Sequence, residues 1–186
     1  MKPAADMRTG MVIRLDGDLY RVTHADYQAG GGKMHGVTHA KLRNMRSGGV
    51  TERRFRQDER FEEIELDRQM MEFLYFEGDL CVFMHPQTYE QVNLSKERLG
   101  NFAPFLQPNQ TLQVDFFEGE AVDIQCPASV ELRVESTPEA LHIQNSSVLK
   151  AATLENGMEV QVPQFIKPGD LVRIDVETGK YHERVH

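Results

Sequence analysis

Tight-turn signals punctuate this chain from end to end: Asp16-Gly17, Ser47-Gly48-Gly49, Glu77-Gly78-Asp79, Glu118-Gly119-Glu120, Asn156-Gly157, Pro168-Gly169-Asp170 and Glu177-Thr178-Gly179. Between them lie short runs rich in β-branched, aromatic and other apolar residues, at 11–15, 19–22, 37–43, 73–76, 80–84, 112–117 and 121–124. Short apolar runs joined by Gly-containing turns are the pattern of hairpins, and many hairpins in series predict small barrels or sandwiches. The best helix candidate is short, with Ser95 as N-cap and Leu94, Leu99 and Phe102 on one side; Pro104 and Pro108 limit its extension.

A length of 186 residues suits three such units. The expected divisions are 1–64, 65–127 and 128–186, the second marked by Pro127 after a strand pattern. Barrels of this size are SH3-like or OB-type, and closing them removes exposed strand edges. No apolar run reaches the roughly 18 residues of a membrane span, and no secretory signal is visible at the N-terminus. Two cysteines, Cys81 and Cys126, are too few for a disulfide scaffold, so a reducing cytoplasm is the expected compartment.

The net charge of −8 argues at first against a nucleic-acid partner. Divided by unit it becomes +3, −8 and −3. Residues 27–51 hold Lys33, Lys41, Arg43 and Arg46 and no carboxylate, and Arg53, Arg54 and Arg56 follow closely. A basic stretch on an acidic chain is the asymmetry of localised polyanion contact, although a solvated basic face is the plainer alternative.

The strongest local feature is the connection Gly30-Gly31-Gly32-Lys33-Met34-His35. Its glycines permit a tight tip that holds one lysine away from any core. It is not a phosphate-binding P-loop, because Tyr27 and Met34 stand where that pattern needs Gly and Ser or Thr. A flexible turn with an incidental lysine remains the alternative on this feature alone. His35 and His39 are four residues apart, but on extended chain that spans roughly 13 Å, too far for one metal. His182 and His186 repeat the spacing at the terminus. No metal, cofactor or nucleophile–base set is expected, and an enzymatic role is the least supported reading.

The last third carries Lys150, Ala152, Gly157, Val160, Val162, Pro163, Ile166 and Gly169, eight constrained positions within twenty residues. These fit the pattern K-x-A-x4-G-x2-[LIV]-x-V-P-x2-[LIV]-x2-G, and on them the chain resembles bacterial elongation factor P. Gly10-Met11, Tyr20-Arg21-Val22, Lys41-Leu-Arg-Asn44, Thr88-Tyr89-Glu90-Gln91 and Tyr181-His-Glu-Arg184 extend the resemblance over nearly the whole chain.

The resemblance implies an all-β chain of three small β-barrels in tandem: an N-terminal SH3-like or KOW-like barrel and two OB-fold barrels, arranged as an L-shaped tRNA mimic. It implies a translation elongation factor that binds the 70S ribosome between the peptidyl and exit tRNA sites and promotes peptide-bond formation at polyproline stalls. Lys33 aligns with the family's functional tip residue, the site of modification where one occurs. Gly30, Gly31, Gly32, Met34 and His35 would support the tip, and Lys41, Arg43, Arg46 and Arg54 would contact rRNA or peptidyl-tRNA. Tyr181 and Arg184 are C-terminal contact candidates. The expected partners are the ribosome and, if Lys33 is modified, a lysine-modifying enzyme; the factor is expected to be monomeric, with no membrane partner. The tip departs from the family's P-G-[KR]-G at Gly31 and Met34, and His142-Ile143-Gln144 stand where the family has Gly-Asp-Thr. These departures leave open an elongation factor P-like paralogue with another stall-motif preference.

Overall fold

Asp16 and Gly17 take φ values of 52° and 91°. Left-handed backbone at both central positions makes a type I′ turn, whose twist matches paired strands. It joins β2 (Val12–Leu15) to β3 (Asp18–Gln28) in antiparallel register. Glu118 and Gly119, at 50° and 83°, repeat the device between β10 (Thr111–Phe117) and β11 (Glu120–Gln125). The computed structural model describes residues 1–32, 35–141 and 147–186.

Three antiparallel sheets follow one another along the chain. The first contains β1 (Lys2–Pro3), β2, β3, β4 (Val37–Asn44), β5 (Val50–Arg56) and β6 (Arg60–Glu63), in the order β1-β6-β2-β3-β4-β5. The second contains β7 (Asp67–Glu77), β8 (Leu80–Met84), β9 (Gln91–Ser95), β10 and β11, in the order β11-β10-β7-β8-β9. The third contains β12 (Ser129–Ser136), β13 (Leu149–Leu154), β14 (Glu159–Pro163), β15 (Leu171–Asp175) and β16 (Tyr181–Arg184), in the order β14-β13-β12-β15-β16. In the second and third sheets the edge strands, β11 with β9 and β14 with β16, come back into contact. This curls each sheet into a barrel and covers its open edges. The all-β expectation therefore holds. Among the described residues no helix is long and apolar enough to cross a membrane.

The predicted helix after Ser95 is instead a broken 3-10 segment, Lys96–Phe105. Ser95 makes no side-chain cap, and Gly100 (φ 52°, ψ −129°) interrupts the winding. Leu94, Leu99 and Phe102 are nonetheless buried, so the apolar side was legible although the helix type was not. Three-residue turns bring these side chains inward over the barrel without a continuous α-helical ladder.

The apolar core is divided unequally. Ala4, Met7, Ile13, Val22, Ala40, Leu42, Phe55 and Phe61 form a separate cluster inside the first sheet. The second and third barrels share one continuous cluster, from Met71 and Phe73 through Phe102 to Val172 and Ile174. The family-signature residues serve that core. Ala152 and Val162 are buried, Lys150 pairs with Val162 across β13 and β14, and Gly157 and Gly169 take the positive φ their turns require. The Lys150 ammonium donates to the Pro138 carbonyl at 2.7 Å, so this lysine holds a loop stem. Pro163 closes the β13–β14 pairing opposite Leu149.

Cys81 is fully buried and donates its thiol hydrogen to the Leu94 carbonyl at 3.1 Å; Cys126 is half-buried. Burial pushes both thiols from the ordinary value near 9 to about 11. A thiol pKa raised in the folded state makes the unfolded chain the better acid. Stability is thus present in full below pH 9 and declines as pH rises toward about 11, as equilibrium unfolding across that range would register. Iodoacetamide at pH 8 is expected to leave both thiols unmodified in the folded protein and to alkylate both in denaturant, as read by intact mass.

Candidate nucleic-acid interface

Strand β4 alternates strictly: Thr38, Ala40 and Leu42 are buried, whereas Val37, His39, Lys41 and Arg43 face outward. Side chains two residues apart share a face, so the basic stretch of the sequence becomes a stripe on one side of the sheet. Cross-strand pairing widens it. His39 lies opposite Arg54, Lys41 opposite Glu52 and His24, and Val37 opposite Arg56. A concavity of about 400 Å³ lies there, lined by His24, His39, Lys41 and Arg54 among others. Lys41 is ion-paired with Glu52 at 3.0 Å, and both remain largely exposed. In high dielectric such a pair is worth about 1 kcal/mol or less, so Lys41 can exchange Glu52 for a phosphate at little cost. Arg54 is exposed. Arg53 lies 5.1 Å from the Phe55 ring centroid and bonds Asp16, so it is more constrained.

The stripe runs along the hairpin toward the glycine tip. β3 ends at Gln28 and β4 begins at Val37, and the described tip residues Gly30, Gly31, Gly32 and His35 are all exposed. Gly32 has φ 65°, a backbone that favours glycine. Lys33 and Met34 lie outside the described residues, as do His142, Ile143 and Gln144. Gly36 closes the tip at its base, donating its N–H to Gln57 Oε1 at 3.3 Å. A Cβ there would stand 2.3 Å from the Tyr27 Oη, so the Tyr27 ring needs glycine beneath it. Gly36→Ala is expected to swing this partly exposed ring into solvent at a cost of about 1 kcal/mol, the low end for over-packing. Chemical denaturation, with the Tyr27 ring signals followed by NMR, checks both parts.

Arg43 and Arg46 are placed differently from Lys41 and Arg54. Arg43 Nη2 donates to both oxygens of Asp123, at 3.1 and 3.3 Å. Arg21, its cross-strand partner on β3, donates from Nε to Asp123 Oδ2 at 3.2 Å and from Nη2 to Asp115 Oδ2 at 2.9 Å. Both carboxylates are only 1% exposed. Gln113 and Gln125 also donate to Asp115, and the Ile124 N–H to Asp123, so neither acid is left short of donors. Arg46 is exposed, and its carbonyl accepts from Arg98 Nη2 at 3.1 Å. Burial is the main force lowering the Arg98 guanidinium below its ordinary value. Arg14 adds a cation–π contact, its guanidinium 5.5 Å from the Phe117 ring centroid. The seam between the first and second barrels is thus built on arginines.

Sequence reasoning gave Arg43 to RNA and assigned no role to Arg21, Asp115 or Asp123. The missed signal was a carboxylate set among apolar strand residues, in Val114-Asp115-Phe116 and Val122-Asp123-Ile124. A charge in such a run demands a buried partner. In the third barrel Tyr181 is half-buried on β16, and desolvation raises its phenol. The Arg184 guanidinium lies 5.3 Å from the exposed Phe165 ring centroid and 3.9 Å from Asp170.

Three family models match successive parts of the chain: the elongation factor P KOW-like domain over residues 3–61, the elongation factor P OB domain over 58–124, and the elongation factor P C-terminal domain over 130–184. Among curated relatives, elongation factor P of Acidobacterium capsulatum is 42% identical over 183 residues, 98% of each chain. That of Clostridium tetani is 40% identical over 187 residues, covering both chains in full. That of Moorella thermoacetica is 40% identical over 180 residues, 96% of this chain and 97% of the relative. Among solved structures, eukaryotic translation initiation factor 5A from Methanococcus jannaschii matches with a TM-score of 0.53 at 17% identity, over 67% of this chain and 90% of that one. At that identity the likeness is one of fold.

Proposed function

Because this chain belongs to the elongation factor P family, a family of translation elongation factors, we propose that it binds the ribosome between the peptidyl and exit tRNA sites and promotes peptide-bond formation at consecutive prolines. It acts there as three units, 1–64, 65–127 and 128–186, without multiple-turnover chemistry of its own. The observation that carries this reading is the outward face of β4 and β5, edged on β3 by His24 and Asp26. Lys41, Arg54 and Arg56 line a solvent-facing stripe that leads to the glycine tip. A cationic stripe leading to an exposed glycine tip suits an RNA channel: it can hold phosphates along its length.

Lys33 addresses the acceptor end of peptidyl-tRNA. Proline is a rigid and poor participant in peptide transfer, and a correctly oriented donor avoids an entropic cost of up to several kcal/mol. The lysine charge offsets nearby phosphates without entering the chemistry. Adding the protein to a reconstituted translation system stalled at three prolines tests this, with release of the stall expected. An unchanged stall, with the protein bound to ribosomes, would reject the assignment. Cross-links to RNA should map to residues 1–64 rather than to the acidic 65–127. The altered tip, with Gly31 and Met34 in place of the family's Pro and Gly, favours a second reading, a paralogue serving other stall motifs. Ribosome profiling of a deletion strain separates the two by the motifs at which pauses accumulate.

A further inference from the structure

The two arginines and two aspartates of the seam are each cross-strand neighbours. Arg21 lies directly opposite Arg43 on β3 and β4, and Asp115 directly opposite Asp123 on β10 and β11. Like charges directly opposite on paired strands repel. Each barrel alone therefore presents a self-repelling pair, and docking sets the positive pair against the negative one at 2.9–3.3 Å. Guanidinium forks add direction to that attraction, because they donate to carboxylates in few orientations. The next seam is of another kind, since the second and third barrels share one apolar cluster. Apolar contact is non-directional. The arginine seam instead specifies an angle.

We propose that Asp115 and Asp123 are positioning residues for the tip: through Arg21 and Arg43 they set the direction in which the β3–β4 hairpin leaves the central barrel. The same hairpin carries the arginine pair near its root and the glycine tip at its far end. Gln28 lies seven positions beyond Arg21. At strand rise that is about 23 Å, so a tilt of about 10° at the seam moves the strand end by about 4 Å. Positioning catalysis loses about a hundredfold for displacements of about 1 Å. The seam must therefore hold the hairpin's direction tightly for a tip residue to orient a substrate.

The orientation part of this proposal stands by itself; the part concerning peptide transfer rests on the function proposed above. The test measures residual dipolar couplings on the full-length protein. In the parent chain, couplings from residues 1–64 and 65–127 are expected to fit one alignment tensor. In Asp115→Asn/Asp123→Asn they are expected to need two, with amide shifts inside each barrel unchanged away from the seam. Arg21→Gln/Arg43→Gln attacks the same seam from the other side and serves if the aspartate variant does not fold. A folded variant that keeps a single tensor, or a parent that already needs two, overturns the proposal. In the proline-stall assay the variants are expected to lose at least about tenfold in rate at saturating factor, with ribosome affinity within about threefold of the parent. An unchanged rate despite separated tensors overturns the positioning role. Should the parent itself fail to relieve the stall, the function falls and the tensor result still decides the orientation.

Discussion

Lys33→Ala is expected to fold and melt as the parent does and to lose relief of proline stalls. The flanking Gly30, Gly31, Gly32 and His35 are exposed, and surface changes away from caps and buried partners usually shift stability by about 0.5 kcal/mol or less. The loss of activity should be large because the lysine is the only cation between Arg21 and Lys41 in the sequence. On the function proposed above, removing it takes away the group that orients the acceptor end, and roughly a hundredfold in rate is the scale for lost positioning. Ribosome binding should fall much less, since the proposed phosphate-binding residues Lys41, Arg54 and Arg56 are unchanged. Lys33→Arg separates two explanations. Retained activity assigns the effect to charge, and lost activity assigns it to a lysine-specific group or modification. A Pro-Pro-Pro reporter, read beside ribosome co-sedimentation, measures both; full relief by the alanine variant would reject the role of Lys33.

Phe83→Ala is expected to lower stability by about 3–5 kcal/mol, the range for an aromatic removed from a packed core. Phe83 is fully buried on β8, with its ring edge-on to Phe73 at a centroid distance of 5.6 Å. Phe73 in turn packs against Phe76 at 4.8 Å, so the deletion empties one end of an aromatic row. The neighbouring strands are tied by their ladders and can close only part of the void. Because the second and third barrels share one apolar cluster, both should lose stability together, by roughly 10 °C or more in melting temperature. The first barrel has its own cluster and should keep its own transition. Calorimetry resolves this: a shifted transition beside an unshifted one is the expected trace, and a uniform shift of a single transition would contradict the division of the core.

Much of the strand order was legible because its signals are local. Asp16-Gly17 and Glu118-Gly119 both adopt left-handed backbone, and the hairpins they predict are present. The 80–84 run forms β8 over those same residues. The outer half of β3 was not legible. Thr23, His24, Asp26, Tyr27 and Gln28 are all exposed, so they carry no apolar alternation, and only the ladder to β4 makes them a strand. The segment after Ser95 misled for the opposite reason. Its apolar spacing suits either helix type, and the positive φ of Gly100 decides between them.

The basic stretch was visible as composition, but its division was not. Lys41 and Arg54 share an open face, whereas Arg43, two residues from Lys41, is committed to Asp123. The sequence by itself determined the turns, the all-β class, the glycine tip and the signature of the third barrel, because each depends on residues close along the chain. Tertiary structure alone decided which charges are committed to the buried seam and which face solvent. The seam partners are 80 to 102 residues apart, and a carboxylate's cost of burial is offset only when another barrel brings its guanidinium within reach.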